Sequence, residues 1–397
     1  MSKLLYLVHR LPYPPNKGDK VRSYHLLKHL AGRHRVFLGT FIDDPEDEVH
    51  VDAVREYCAD MHITRINPKV ARLMSLSGLA RNSALTLPYY HSASLQSWVD
   101  RILREEQIDA AVVFSSVMAQ FVQGVPQLRK LVDFVDVDSA KWAQYAANHR
   151  WPMSWLYRRE GERLLAFERS VASQADRCFF VTDLEADLFR RLAPECADKV
   201  EAVCNGVDAD FFSPQHEFPS PFGPDELPLV FTGAMDYWPN IDAVVWFAAE
   251  VLPILQKNWP RLRFYIVGRS PAPAVLELGG SQIVVTGTVP DVRPYLRHAA
   301  VVVAPLRLAR GVQNKVLEAM AMGLPVVASK ECAVAVDAVA GVDFLAAGTV
   351  REYVGAIESL LSAPARGESL GAAARERVLA RYSWEANLSP MDHHLHR

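Results

Sequence analysis

The stretch from Val301 to Ser329, VVVAPLRLARGVQNKVLEAMAMGLPVVAS, constrains the chain most tightly. Val301 to Ala304 is a run of apolar, mostly β-branched residues and reads as a buried strand. A loop with Arg307, Arg310 and Gly311 follows, and a helix is expected from about Gln313 to Met322. Gly323 stops that helix and Pro325 keeps it from continuing. Val326 to Ala328 then begins another strand. In a strand–loop–helix–strand unit the loop lies at the carboxyl end of a parallel strand, where open α/β sheets bind ligands.

The chemistry of this loop suits a phosphate. Gly311 lets backbone approach a ligand closely. The following helix presents unpaired N–H groups and the positive end of its dipole. Arg307 and Arg310 add charge. Lys315 and Glu318 are three residues apart and share one helix face. Lys315 could reach an anion while Glu318 accepts hydrogen bonds from hydroxyls such as those of a ribose. The plainer alternative is a Lys315–Glu318 salt bridge on an ordinary helix.

At 397 residues, two domains are expected. Charged residues make up 22%, and the net charge of −3 argues against a general nucleic-acid binder. Five cysteines without C-x-x-C spacing read as reduced thiols in a cytoplasmic protein. Leu4 to Val8 is too short an apolar run for a signal peptide, and no run of 18 apolar residues is present. His393, His394 and His396 read as a disordered tail.

Taken in order, Lys3 to His9 is expected as a strand, the loop LPYPPNKGDK follows, and a helix runs from about Val21 to Ala31 with Asp19 near its start as a cap. This is a second candidate anion or acceptor site, with Arg22 and His25 in the first turns. The alternatives are a solvated helix residue for Arg22 and a satisfied interface histidine for His25. Further strands are expected at Val36–Phe41, His62–Ile66, Ala110–Phe114, Leu131–Val135 and Cys178–Val181, alternating with helices, among them a helical stretch from Glu46 to Met61. That alternation implies a mostly parallel sheet. The stretch from Pro68 to Leu87 carries Lys69, Arg72 and Arg81 among leucines and methionines, and Trp151 to Arg159 is similar. A basic amphipathic helix can rest on anionic lipid, but the expectation here is a helix covering a sheet. Asp136-Val137-Asp138 could hold a divalent metal, cap the next helix, or bond an acceptor hydroxyl.

Ser213 to Pro228 holds five prolines and reads as an interdomain linker. Strands restart at Leu229–Thr232, Arg263–Val267 and Ile283–Thr286, each ending at glycine (Gly233, Gly268, Gly287). The expected division is therefore a first domain over 1–214, a linker over 215–228, a second domain over 229–380, and a C-terminal helix and tail over 381–397. The chain lacks G-x-x-x-x-G-K-[ST], a strand-following G-x-G-x-x-G, G-x-S-x-G and H-E-x-x-H, which excludes the P-loop kinase, dehydrogenase, hydrolase and zincin fingerprints.

At these residues the chain resembles the GT-B glycosyltransferases of the large retaining family 4. The most specific match is PLR–x–x–x–G–x–x–x–K–x–x–EAMA–x–G–x–PVV, Pro305 to Val327. NGVD with F-x-P (Asn205 to Pro214), FTGAMDYWPNIDAVVWF (Phe231 to Phe247) and YSWE (Tyr382 to Glu385) also match. The N-terminal P-P-x-x-G-x-x-x-R is similar to a subgroup acting in bacterial exopolysaccharide assembly, and more loosely the chain resembles sugar transferases associated with PEP-CTERM sorting. The resemblance implies two Rossmann-like domains facing across a cleft, with the C-terminal helix returning to the first. It implies a nucleotide-diphosphate sugar as donor substrate on the second domain and a glycan or lipid-linked sugar as acceptor on the first. It implies no cofactor, metal or protein nucleophile, and transfer with retention in cell-surface glycan synthesis. Carried over residue by residue, Glu318 would bond the ribose; Lys315, Arg307 and Gly233 would surround the diphosphate, and Gly18 would approach from the first domain. Asp138 and His25 are candidates for acceptor contact at the reacting centre, with Asp19 and Arg22 beside them.

The chain departs from the family in three places. Arg310 stands where a glutamate that contacts the donor sugar is common. The loop after Thr232 lacks the frequent Arg and Lys, and Gly18-Asp19 replaces two glycines. A nucleotide-sugar 2-epimerase and a catalytically silent nucleotide-sugar-binding partner are the alternative functions. A lipid-linked acceptor would place the protein at the inner face of the cytoplasmic membrane, with the basic stretches as docking surfaces.

Overall fold

The computed structural model describes residues 2–15, 18–308 and 312–395. Arg310 and Gly311, both expected in the donor site, lie outside the described residues. The chain divides into two compact units, one of residues 1–204 with 388–397 and one of residues 205–387.

The first unit is a seven-stranded parallel sheet: β1 (Lys3–Val8), β2 (Arg35–Ile42), β3 (Asp60–Arg65), β4 (Ala110–Phe114), β5 (Arg129–Val135), β6 (Arg177–Phe180) and β7 (Val200–Ala202). The strand order is β3-β2-β1-β4-β5-β6-β7. Central strands such as Leu4–Val8 and Ala110–Phe114 are buried along their whole length, as continuous apolar runs covered on both faces should be. The order reverses between β1 and β4, so the loops leaving their carboxyl ends diverge and open a crevice there.

The second unit repeats the plan with six parallel strands: β8 (Leu227–Thr232), β9 (Leu262–Val267), β10 (Ile283–Gly287), β11 (Val301–Ala304), β12 (Val326–Ser329) and β13 (Leu345–Ala347). Their order is β10-β9-β8-β11-β12-β13, with the reversal between β8 and β11. The helical stretch Trp238–Asn258 is long and apolar enough to span a bilayer by length and composition. It nonetheless packs Val244, Phe247, Val251 and Leu255 into the core of this unit, as a core helix does.

Three expectations are corrected. Residues 205–228 are part of the second unit rather than the end of the first domain and a free linker. Val207 N donates to Tyr382 O at 2.9 Å, and Phe212, Phe218 and Phe222 pack on the second unit's core. Aromatic side chains spaced among the prolines find apolar surface, so the segment is held. The region Glu46–Met61 is a 3₁₀ turn (Pro45–His50) and one helical turn (Val51–Arg55), with β3 already begun at Asp60. The closing histidines are not a loose tail: His393 and His394 lie in the helix Trp384–Leu395, and His394 Nε2 sits 3.0 Å from Glu201 Oε1. His396 lies outside the described residues.

Candidate active site

In the second unit the two loops at the β8/β11 reversal bring the candidate donor residues together. The loop after β8 is tied to the end of β9 by Gly233 N to Val267 O (3.0 Å) and Met235 N to Arg269 O (2.9 Å). The two backbones meet so closely that a Cβ on Gly268 would fall 1.6 Å from the Gly233 carbonyl oxygen. Gly233 is itself required: its φ is +154°, and a Cβ there would lie 2.8 Å from Asn240 Nδ2 and 2.9 Å from Lys315 Nζ. The absent side chain leaves room for an amide and an ammonium at the strand end.

Lys315 opens the helix Asn314–Ala321 from the β11 side. Its Nζ donates to Asn240 Oδ1 at 2.6 Å and stands 4.1 Å from the Phe231 ring centroid. Asn240 is held for this task, because its Nδ2 donates to Ala234 O at 2.8 Å. Among the described residues Lys315 pairs with Asn240 and forms no salt bridge with Glu318, the plainer alternative. The Glu318 carboxylate has no hydrogen-bond donor among the described residues, so its lone pairs are available to a ligand. Burial lowers Lys315 to about 8, against the raising effect of Cys332 and Glu318. Burial raises Glu318 to about 7, with Lys315 opposing. Both displacements are those expected of charges partly stripped of water and not directly paired. Groups perturbed this way cluster at functional sites.

Arg307 is more committed than expected. Its Nε donates to Asp242 Oδ2 at 3.0 Å and its Nη2 to Asp242 Oδ1. The pair leaves the guanidinium half exposed, with its charge largely compensated. Asn240 was not anticipated. Its signal lay in the stretch Gly233 to Asn240, a glycine loop running straight into a helix start.

The NGVD and YSWE segments prove structural. Asn205 Nδ2 donates to Asn314 Oδ1 at 3.2 Å, steadying the residue before Lys315. A Cβ on Gly206 would meet Trp384 at 2.7 Å.

In the first unit the expected acceptor residues separate into two groups. Gly18 is exposed and opens the helix Gly18–Ala31. Asp19, inside that helix rather than capping it, takes Arg10 Nη1 at 3.0 Å and faces His9 Nε2 at 3.3 Å. Burial opposes its charge, but His9 and Arg10 hold its carboxyl far below the usual range. His9, unanticipated, directly follows β1. It stacks on Phe114 with ring centroids 5.9 Å apart, and its Nδ1 is buried without a hydrogen-bond partner. Next to it, Ser115 at the end of β4 is held at φ +72°, an unfavourable conformation for a residue with a Cβ.

Arg22 is a correction. It is fully buried, with Nε on Asp133 Oδ2 at 2.7 Å, Nη2 on Asp133 Oδ1 at 3.2 Å and Nη1 on Val203 O at 2.7 Å. It is a core ion pair, neither solvated nor acceptor-facing. His25 is partly buried, with its ring against Tyr24 at 5.5 Å. Asp138 begins the helix Asp138–Ala147. Lys141 Nζ lies 2.9 Å from both Asp136 Oδ2 and Asp138 Oδ1. A lysine ammonium therefore occupies the position a divalent cation would take between these aspartates. Beneath it Glu168 accepts from Ser139 Oγ at 2.5 Å, and burial pushes its carboxyl up to about 8.

Residues 226–363 match the model of the family described as glycosyl transferases group 1. No curated protein sequence matches the chain. Among solved structures, the chain is similar to sucrose-phosphate synthase from Thermosynechococcus elongatus, with a TM-score of 0.71 at 18% identity, covering 99% of this chain and 98% of that one. It is also similar to HepE from Anabaena, solved with UDP and glucose, with a TM-score of 0.69 at 13% identity, covering 100% and 99%. A third is WaaG, a glycosyltransferase involved in lipopolysaccharide biosynthesis, with a TM-score of 0.67 at 16% identity, covering 98% and 99%. Residues 226–363 thus match a glycosyl transferases group 1 domain, within a chain that has the two-sheet GT-B fold along its length.

Proposed function

We propose that the enzyme takes a sugar from a nucleotide-diphosphate sugar and passes it to a hydroxyl acceptor with retention, without a metal, in the synthesis of an exopolysaccharide or other cell-surface glycan. The observation that carries this reading is the Lys315–Asn240–Gly233 arrangement, with the unpaired Glu318 carboxylate one helical turn from Lys315. An ammonium held by an amide rather than a carboxylate keeps its charge for an anion. The departing diphosphate gathers negative charge, and a preplaced cation at a helix start stabilises that charge more than it stabilises the ground state. Glu318 supplies the acceptor that ribose hydroxyls need. The similar fold of HepE, solved with UDP-glucose, supports a donor of this class.

A thermal-shift panel of UDP, GDP, ADP, TDP and their sugars, with and without EDTA, tests the donor. One selective nucleotide sugar should raise the melting temperature by mass action, unaffected by EDTA. Its anomeric configuration, followed by NMR into the glycoside product, tests retention. A shift abolished by EDTA would overturn the metal-free reading. Conversion of the donor alone into a new nucleotide sugar would replace the transferase with an epimerase.

A further inference from the structure

The helix Pro68–Ser75 buries none of its residues. It was expected to cover a sheet, and it does not. Leu73 is 69% exposed, and Met74 and Leu76 beside it also stand in solvent. A second exposed apolar group lies at the start of the helix Met153–Gln174, where Trp151 is 81% and Trp155 54% exposed. The two stretches are fastened to each other. Arg159 donates to Ser83 O at 3.1 Å and to Gly78 O at 3.0 Å, and Glu160 accepts from Leu85 N at 2.6 Å and Thr86 N at 3.0 Å.

The charge on this surface has one sign. Neither 68–81 nor 150–159 contains an aspartate or glutamate. Lys69, Arg72, Arg81, Arg150 and Arg158 are exposed, and none of them forms an ion pair among the described residues. Elsewhere exposed cations commonly find carboxylates, as Arg65 does on Glu48 and Arg101 on Asp60. Leucine and methionine interleaved with unpaired cations, flanked by exposed tryptophans, match the chemistry of the lipid headgroup boundary. There apolar side chains enter the acyl region, indole rings sit at the interface and cations meet phosphates.

We propose that this face of the first unit docks on a bilayer of anionic phospholipid. The proposal stands whatever the donor and acceptor are. It is tested by flotation of the full chain with vesicles of phosphatidylcholine alone or mixed with phosphatidylglycerol. The protein should float with the mixed vesicles, remain behind with phosphatidylcholine alone, and be partly released by salt. Leu73→Glu/Trp155→Glu should lower the vesicle-bound fraction by about tenfold or more, with an unchanged melting temperature because both side chains are exposed. Leu379→Glu, at an exposed leucine of the second unit, should float like the parent. Absence of flotation on anionic vesicles at low salt overturns the proposal, as does a folded double variant that floats like the parent. Self-association abolished by the double variant, without flotation, would assign the face to a second copy of the chain.

Discussion

At the scale of single residues, the proposed donor site rests on two charges, Lys315 and Glu318, that are partly desolvated and not paired with each other. Lys315→Ala or Glu318→Ala should cost about 2–4 kcal/mol of transition-state stabilisation, read as kcat/KM. Near-parental turnover in both would remove them from the site. The signs of the shifts also set a pH dependence. Lys315, lowered to about 8, is an ammonium only below that pH. Glu318, raised to about 7, is a carboxylate only above that pH. Nucleotide-diphosphate affinity should therefore be greatest between about 7 and 8. Above that window it should fall by up to about tenfold per pH unit, because binding must then return a proton to Lys315. Isothermal titration between these limits and above would show it, and Lys315→Arg should lose the alkaline inflection. Arg22 makes the opposite case of a charge that is spent on structure. Arg22→Ala leaves Asp133 buried without its partner and should destabilise by about 3–5 kcal/mol in urea. Arg22→Met/Asp133→Leu, removing both charges, should recover much of that loss.

At the scale of elements, the close approach of backbones decides where side chains are tolerated. Gly371 lies inside the helix Pro364–Arg381, where alanine would ordinarily gain about 0.5–1 kcal/mol. Here a Cβ would fall 2.0 Å from Gly323 O. Gly371→Ala should therefore destabilise, by about 1–3 kcal/mol if the turn at Gly323 shifts to accommodate it. Gly355, in the helix Val350–Leu361, has nothing within 4 Å of the corresponding position. Gly355→Ala should stabilise by about 0.4–1 kcal/mol. Denaturant midpoints of the two variants, moving in opposite directions, would test the packing of helix on turn. The same crowding explains why glycine follows β9: the loop carrying Gly233 could not cross Gly268 if that residue had a side chain.

At the scale of the whole molecule, the chain returns to its first unit at the end. Leu388, Met391 and Leu395 are buried, and His29 Nε2 meets Asp392 Oδ1 at 2.9 Å. Deleting residues 388–397 should destabilise the first unit by about 4.5–9 kcal/mol, at about 1.5–3 kcal/mol for each of these three apolar side chains. Hydrogen exchange should quicken in β1, β5 and β6 while β8 and β11 stay protected. Unchanged protection in the first unit would show that the last ten residues do not hold it together.

Much of this was legible in the sequence, because strands buried on both faces must be continuous apolar runs and their helices must stop at glycine or proline. Ala110–Phe114 and Val301–Ala304 were read to the residue. β7 and β13, three residues each, were missed because so short an edge strand has no periodicity. The reading of Lys315 and Glu318 rested on their local spacing in a strand–loop–helix unit and that of Gly233 on the family resemblance, and the structure brings Gly233 beside Lys315. Pairing between distant residues was not readable. That Asn240 holds Lys315, that Asp242 takes Arg307 and that Asp133 withdraws Arg22 into the core each depend on separations set by the sheet order. The helix at Pro68 shows the same limit for surfaces. Its amphipathic pattern established an apolar face, and only packing decided that this face meets solvent and not a sheet, because periodicity records what a helix can cover and not what lies opposite.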